Sequence, residues 1–253
     1  MDDTPMPPIR LDDLDRRRLA EALGRGTSRR DMLRLVAALG LTATGAASLL
    51  SLPSDARAQA PRRGGRVRAA GISMSAADTL DPAKGSHSTD YTRHYLFYSG
   101  LTQLDGSLTP QPALAEEIRH EKAQLWTFTL RKGARFHDGS PLTPADVVYS
   151  LTRHKNPAIA SKVKTVAEQF AEVKASGPNQ VQVRLATPNA DLPVILAASH
   201  FLIIKDGAAD FATANGTGPF TCKEFKPGVR TLAARFEGYW KPGRPYLDEV
   251  ELI

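Results

Sequence analysis

Residues 28–34, Ser28-Arg29-Arg30-Asp31-Met32-Leu33-Arg34, stand directly ahead of an uncharged, mildly apolar run, 35–54, that closes in Ala56-Arg57-Ala58. Paired arginines, a weakly hydrophobic stretch and a small-x-small site read as a secretory signal of the twin-arginine type. Arg29 and Arg30 are the charges a receptor reads, Ala56 and Ala58 form the cleavage site, and the cut is expected after Ala58. Such a segment is an address. Residues 1–58 therefore drop out of the fold, and 59–253 must build whatever core the protein has. The competing reading is a retained membrane anchor, which needs roughly 20 predominantly apolar residues. This run reaches that length only when Ser51, Pro53 and Ser54 are counted. The signal places the mature chain in the periplasm and makes the twin-arginine export machinery a partner.

Residues 59–253 suffice for one sizeable core or two small ones. The chain has 33 Lys+Arg against 27 Asp+Glu, a formal net charge of +6. Its basic residues alternate with acids, and the one local cluster is Arg62, Arg63, Arg66 and Arg68. Nucleic-acid binding calls for a concentrated basic stripe, so nucleic acid is not an expected partner. Cys222 is the sole cysteine. An intrachain disulfide, a thiolate metal site and an iron–sulfur cluster are excluded, and stability must come from burial. Cys222 follows Phe220 by two in a strand-like run, so it is expected on the same face, buried and inert.

Period-2 alternation marks strands at Arg66-Val67-Arg68-Ala69-Ala70, Trp126-Thr127-Phe128-Thr129-Leu130 and Val181-Gln182-Val183-Arg184-Leu185. Further strands are expected around Leu232 and Phe236, at 201–204, which is fully apolar, and at 250–253, where no later segment follows to pair with it. Leu80-Asp81-Pro82-Ala83 reads as a strand exit, and 91–98 as an aromatic-rich helix stopped at Gly100. Thr143-Pro144-Ala145-Asp146 opens a second helix: Thr143 is the N-cap, Pro144 takes the first helical position and Asp146 closes a capping box. Val147, Val148 and Leu151 then form its buried stripe.

An ordered series of short motifs carries a family resemblance. It runs Thr79-Leu80-Asp81-Pro82, Ser99-Gly100-Leu101-Thr102, Pro112-Ala113-Leu114-Ala115-Glu116, Trp126 to Gly133, Phe136-His137-Asp138-Gly139-Ser140-Pro141-Leu142-Thr143, Asp146-Val147-Val148-Tyr149-Ser150, Gly216-Thr217-Gly218-Pro219-Phe220, Tyr239-Trp240 and Pro245-Tyr246-Leu247-Asp248. The series resembles the N-terminal part of the extracytoplasmic solute-binding proteins of peptide/nickel-type ABC importers, solute-binding family 5, which includes dipeptide- and oligopeptide-binding proteins. The resemblance implies an α/β fold of mixed sheets, a periplasmic-binding-protein-like clamp of two lobes. Residues 59–98 and 205–253 would be two segments of the first lobe, 99–204 its extra subdomain, and the second lobe would be missing, as in a truncated product. It implies capture of a peptide or related small solute by a monomer, for delivery to ABC permease subunits at the membrane. Ligand-facing residues carried over by position are Gly85, Ser86, His87 and Ser88, with Thr217, Gly218 and Pro219 shaping the cleft floor.

Signals for other chemistry are thin. His87, His94, His120, His137, His154 and His200 include no i, i+4 pair spanning a glutamate, although His87 and His94, seven apart, would share a helix face. His137-Asp138 looks like a dyad without a Ser or Cys partner, and no G-x-S-x-G elbow occurs. Gly216-Thr217-Gly218 lacks the third glycine and the lysine of a phosphate loop. Trp126, Phe128, Leu130 and Phe136 read as core. No catalytic residue, metal site or cofactor is expected. The alternatives are an exported enzyme or cofactor-bearing protein, since twin-arginine export often carries folded, loaded cargo, and a non-functional truncated paralogue.

Overall fold

Strand pairing sorts residues 62–253, those described by this computed structural model, into three sheets. In chain order the elements are β1 (Arg66–Ala69), α1 (Ser88–Phe97), β2 (Thr102–Leu104), β3 (Pro110–Pro112), β4 (Ala115–Glu121), β5 (Leu125–Leu130), α2 (Pro144–Thr152), α3 (Lys164–Ala167), β6 (Phe170–Gly177), β7 (Gln180–Leu185), α4 (Leu192–Ile195), β8 (Phe220–Lys226), β9 (Arg230–Arg235) and β10 (Glu249–Leu252). One sheet has the order β1-β10-β9-β8, with β1 parallel to β10 and the other pairs antiparallel. A second, β4-β5-β7-β6, is antiparallel throughout, and β2 and β3 form a separate hairpin. Arg29, Arg30, Ala56 and Ala58 lie outside the described residues. Among those residues no helix is long and apolar enough to cross a membrane.

The second sheet follows from its alternation. Trp126, Phe128 and Leu130 are buried while Thr127 and Thr129 are half-buried on the other face. Trp126 stands opposite Val183 and Phe128 opposite Val181, so large and β-branched side chains interlock across β5 and β7. Val147 and Leu151 of α2 join this core, and the capping box at Thr143 and Asp146 forms as expected. Val148 is only half-buried. The first sheet buries Ala233, Val250, Leu252 and Phe220 against Phe97, Tyr98 and Leu80. Cys222 shares that face, half-buried, and burial raises its thiol above the ordinary value, as suits an inert position.

Several expectations change. Leu80–Ala83 is no strand exit: Pro82–Lys84 is a 3-10 turn, and Asp81 caps it by accepting from the Ala83 amide at 3.0 Å. Helix α1 begins at Ser88, three residues earlier than its aromatic stretch suggests, because Ser88, Thr89 and Asp90 suit a first helical turn. Residues 201–204 form no ladder. A 3-10 turn, Ser199–Phe201, leads into a single bridge between Ser99 and Ile203. The alternation is still used: Phe201 and Ile203 enter the second-sheet core, Leu202 and Ile204 the first-sheet core. An extended segment presents opposite faces at successive residues, so this one stitches two cores together. Finally β10 is interior, because β1, from the other end of the described residues, pairs with it in parallel.

The strap 216–218 crosses the end of α1 at backbone distance. The Gly218 amide donates to the Phe97 carbonyl at 2.9 Å, and a Cβ at Gly218 would lie 2.6 Å from the Tyr98 nitrogen. Backbone cannot yield there as a flexible side chain would. Gly218→Ala is therefore expected to destabilise the protein by about 1–3 kcal/mol, the usual range for overpacking. Urea unfolding followed by tryptophan emission measures it, and an unchanged midpoint would refute the contact.

Candidate ligand-binding wall

The carboxyl ends of β1 and β10 lie side by side. The Ile253 amide donates to the Ala69 carbonyl at 3.0 Å, and the Gly71 amide to the Ile253 carbonyl at 2.7 Å. The chain leaving β1 then meets the start of α1, where the Ser73 hydroxyl lies 3.0 Å from that of Ser88 and 3.1 Å from that of Thr89. Open α/β sheets bind ligands outside the carboxyl ends of their parallel strands. Ser86, His87 and Ser88 sit there exposed, whereas Gly85 is buried.

A buried ionic network holds this loop. Arg93, fully buried on α1, donates to Asp78 at 2.6 Å, Asp90 at 2.8 Å and Thr231 at 2.9 Å, with its guanidinium carbon 5.5 Å from the Phe225 ring centre. Asp90 in turn accepts from the Ser86 and Thr79 amides, both at 3.2 Å, and Asp78 from the Gly228 amide at 3.1 Å. Arg153 grips Asp81 with two bonds, 2.7 and 3.1 Å. Charges taken out of water persist only when paired and hydrogen-bonded. The guanidinium groups thus tie the turns at 75–81 and 84–90 to α1, α2 and β9.

Two histidines complete the support. His200 Nε2 donates to the Gly85 carbonyl at 3.0 Å, and its ring stands edge-on to Tyr91. His94 lies directly beneath Gly85: a Cβ there would be 2.6 Å from its Cε1. His94 therefore points inward, not along the exposed face of His87. Its Nε2 donates to the Thr79 carbonyl at 3.1 Å.

The other expected site residues lie elsewhere. Thr217 and Gly218 are buried at the opposite end of α1 from Gly85 and Ser88, Gly218 against Phe97 and Tyr98, and the adjoining Pro219 lines a cavity. A ten-residue helix separates the two groups by about 15 Å, so Thr217 and Gly218 do not floor the same wall. The His137-Asp138 pair is a clasp. His137 Nε2 donates to the Gly218 carbonyl at 3.1 Å and Nδ1 accepts from the Gly216 amide at 3.3 Å. Partial burial opposes ionisation of Asp138, yet hydrogen bonds from Ser140 and Asn215 hold its carboxyl at about 2. Sequence reading overlooked the network. The i, i+3 pair Asp90 and Arg93 was a visible signal; Asp81 and Arg153 are 72 positions apart.

Burial lowers His94 from 6.5 to about 4, against the Thr79 carbonyl and Asp90. It does the same to His154, where Arg153 adds to the effect and Asp81 opposes it. Between pH 4 and 6.5 the unfolded chain binds the extra protons, so stability is full above 6.5 and falls as the pH drops towards 4. Each ring contributes on the order of 3 kcal/mol to that loss. Melting temperature against pH measures it, and His154→Gln is expected to flatten the slope; a flat wild-type profile would contradict both neutral rings.

Comparison with known proteins agrees with this architecture. The profile for "Bacterial extracellular solute-binding proteins, family 5 Middle" matches residues 109–253. YhjP of Bacillus subtilis (strain 168) is 37% identical over 144 residues, covering 57% of this chain and 24% of that protein. The glutathione-binding protein GsiB of Escherichia coli (strain K12) is 28% identical over 179 residues, 68% of this chain and 35% of its own length. AgaA of A. tumefaciens R10, solved in complex with agropinic acid, superposes with a TM-score of 0.66 at 27% identity, over 74% of this chain and 39% of that one. The chain thus spans about a quarter to two fifths of the length of these relatives. By sequence profile and by the periplasmic-binding-protein fold, it belongs to family 5 of the bacterial extracellular solute-binding proteins.

Proposed function

We propose that this chain captures a small peptide-like solute as part of the solute-binding component of an ABC importer, and does so without chemical turnover. The observation that carries this reading is the exposed 86–88 loop at the carboxyl ends of two parallel strands, immobilised from behind by Arg93, Asp90 and His200. A pre-ordered loop loses little entropy on binding, and its exposed polar residues suit an extended ligand. Gly85, Ser86, His87 and Ser88 form the wall; Thr217 and Gly218 act indirectly, by fixing the far end of α1. Glutathione binding by GsiB and the agropinic acid complex of AgaA support small polar solutes built from amino acids.

The remaining assignments follow. The twin-arginine signal ending at Ala58 directs the protein to the periplasm, where it acts as a monomer and hands solute to ABC permease subunits. Residues 59–98 and 205–253 form the first lobe and 99–204 its subdomain. In support, the strands of the first sheet fall within 66–69 and 220–252, those of the second within 115–185, and each sheet has its own core.

Titration calorimetry of the chain against glutathione, agropinic acid and a panel of di- to tetrapeptides tests the reading. At least one solute is expected to bind and, at 100 times its Kd, to stabilise the fold by roughly 2.7 kcal/mol. His87→Ala combined with Ser88→Ala is expected to weaken that solute several-fold. Binding unaffected by the double substitution, or hydrolysis of a panel member, would overturn it.

A further inference from the structure

The amino ends of the parallel strands carry a second surface, at the end of α1 away from the 85–88 loop. Here the Gly64 amide donates to the Tyr246 carbonyl and the Asp248 amide to the Gly65 carbonyl, at 2.8 and 2.9 Å. Two cavities open beside this edge and meet at Pro219 and Tyr239. One, about 450 Å³, is walled by Tyr95, Tyr98, Leu104, Leu108 and Trp240. Leu108 is 74% exposed, Tyr95 47% and Leu104 40%. The other, about 520 Å³, is walled by Tyr239, Lys241, Arg244 and Tyr246.

The cations of this face contact aromatic rings and neutral oxygens. The Trp240 ring has the Arg131 guanidinium 4.9 Å and the Lys241 ammonium 5.1 Å from its centre, and Arg244 stacks 4.1 Å from that of Tyr246. Arg131 donates to the Ala113 carbonyl, Lys241 to the Gln103 side chain. Burial first, then the like charges of Arg244 and Arg131, pull the Lys241 ammonium below its ordinary range. Two acids lie nearby: Asp105 accepts from the Ser107 and Thr109 amides and from Gln111, and Glu237 lies 4.0 Å from Arg235.

Exposed leucines and a tyrosine, with a half-buried tryptophan and clustered cations beside them, are what a protein presents to a bilayer interface. Aromatic rings rest at headgroup level, aliphatic tips reach the acyl boundary, and each cation meets an anionic lipid. A nucleic acid would call for a longer track of cations and would leave Leu104 and Leu108 unused. We propose that this face, the β2–β3 hairpin together with Tyr239, Trp240, Lys241 and Arg244, docks on anionic phospholipid. This function is separate from solute capture, and it leaves the 85–88 loop, at the other end of α1, free in solution.

The full chain is mixed with vesicles of phosphatidylcholine, with or without phosphatidylglycerol, that carry brominated acyl chains. Trp240 reports contact with the acyl region, whereas Trp126, buried in the second-sheet core, supplies a constant background. Quenching is expected on phosphatidylglycerol vesicles, and high salt should reverse it. Lys241→Gln with Arg244→Gln should weaken it about 30-fold, the effect of two surface cations at an anionic bilayer. Leu108→Ser should reduce quenching depth without altering the melting temperature. No quenching, equal quenching on pure phosphatidylcholine, or quenching indifferent to the charge substitutions would overturn the proposal.

Discussion

Arg93 is the constraint on which the rest of the described fold depends. Its guanidinium is wholly buried and binds Asp78, Asp90 and Thr231, which belong to a loop, a helix and a strand. An arginine left unpaired in such a place would cost several kcal/mol, so the three partners must arrive together for α1 to pack on the sheet. Planar geometry makes the requirement stricter, since five N–H donors point in set directions. Asp90 relays the restraint to the Ser86 amide, and Arg153 applies a second grip at Asp81. The 84–88 loop is therefore shaped from behind, by charges buried beneath it.

The two sheets are joined by sharing residues. Residues 201–204 send alternate side chains into the two cores, and α2 does likewise, with Val147 and Leu151 in one and Tyr149 against the other. Ser150 adds a polar rivet: its hydroxyl donates to the Asp146 carbonyl, and the Ile204 amide donates to it at 2.9 Å. Interiors packed at this density transmit displacement. Phe201, in the second-sheet core, adjoins His200, which donates to the Gly85 carbonyl at the base of the proposed ligand wall.

The direction of the first sheet sets its two ends apart. Parallel pairing of β1 and β10 brings both carboxyl ends to one side, where the chain turns into the 70–88 loops and presents backbone and hydroxyl groups. The amino ends lie on the other side, with the turn around 240–246 and its rings and cations. The first end carries the proposed solute wall and the second the proposed lipid face.

Local patterns determined much by themselves. Alternation in β5 and β7 requires a one-face-buried sheet, and the Thr143–Asp146 capping box sets where α2 begins, because both depend on neighbours a few positions away. The ordered motifs identified the family, and the position of the 85–88 loop was legible with them. Tertiary structure alone decided which of those residues face outward. Gly85 turned out to roof His94, and Thr217 and Gly218 to seal the wrong end of α1 for a shared wall. It alone joined Asp81 to Arg153, β1 to β10 and Trp240 to Arg131. The physical reason is range: backbone propensity and hydrophobic period act within a turn or a strand. Ion pairing and cation–aromatic contact act through space, between residues whose separation along the chain carries no pattern.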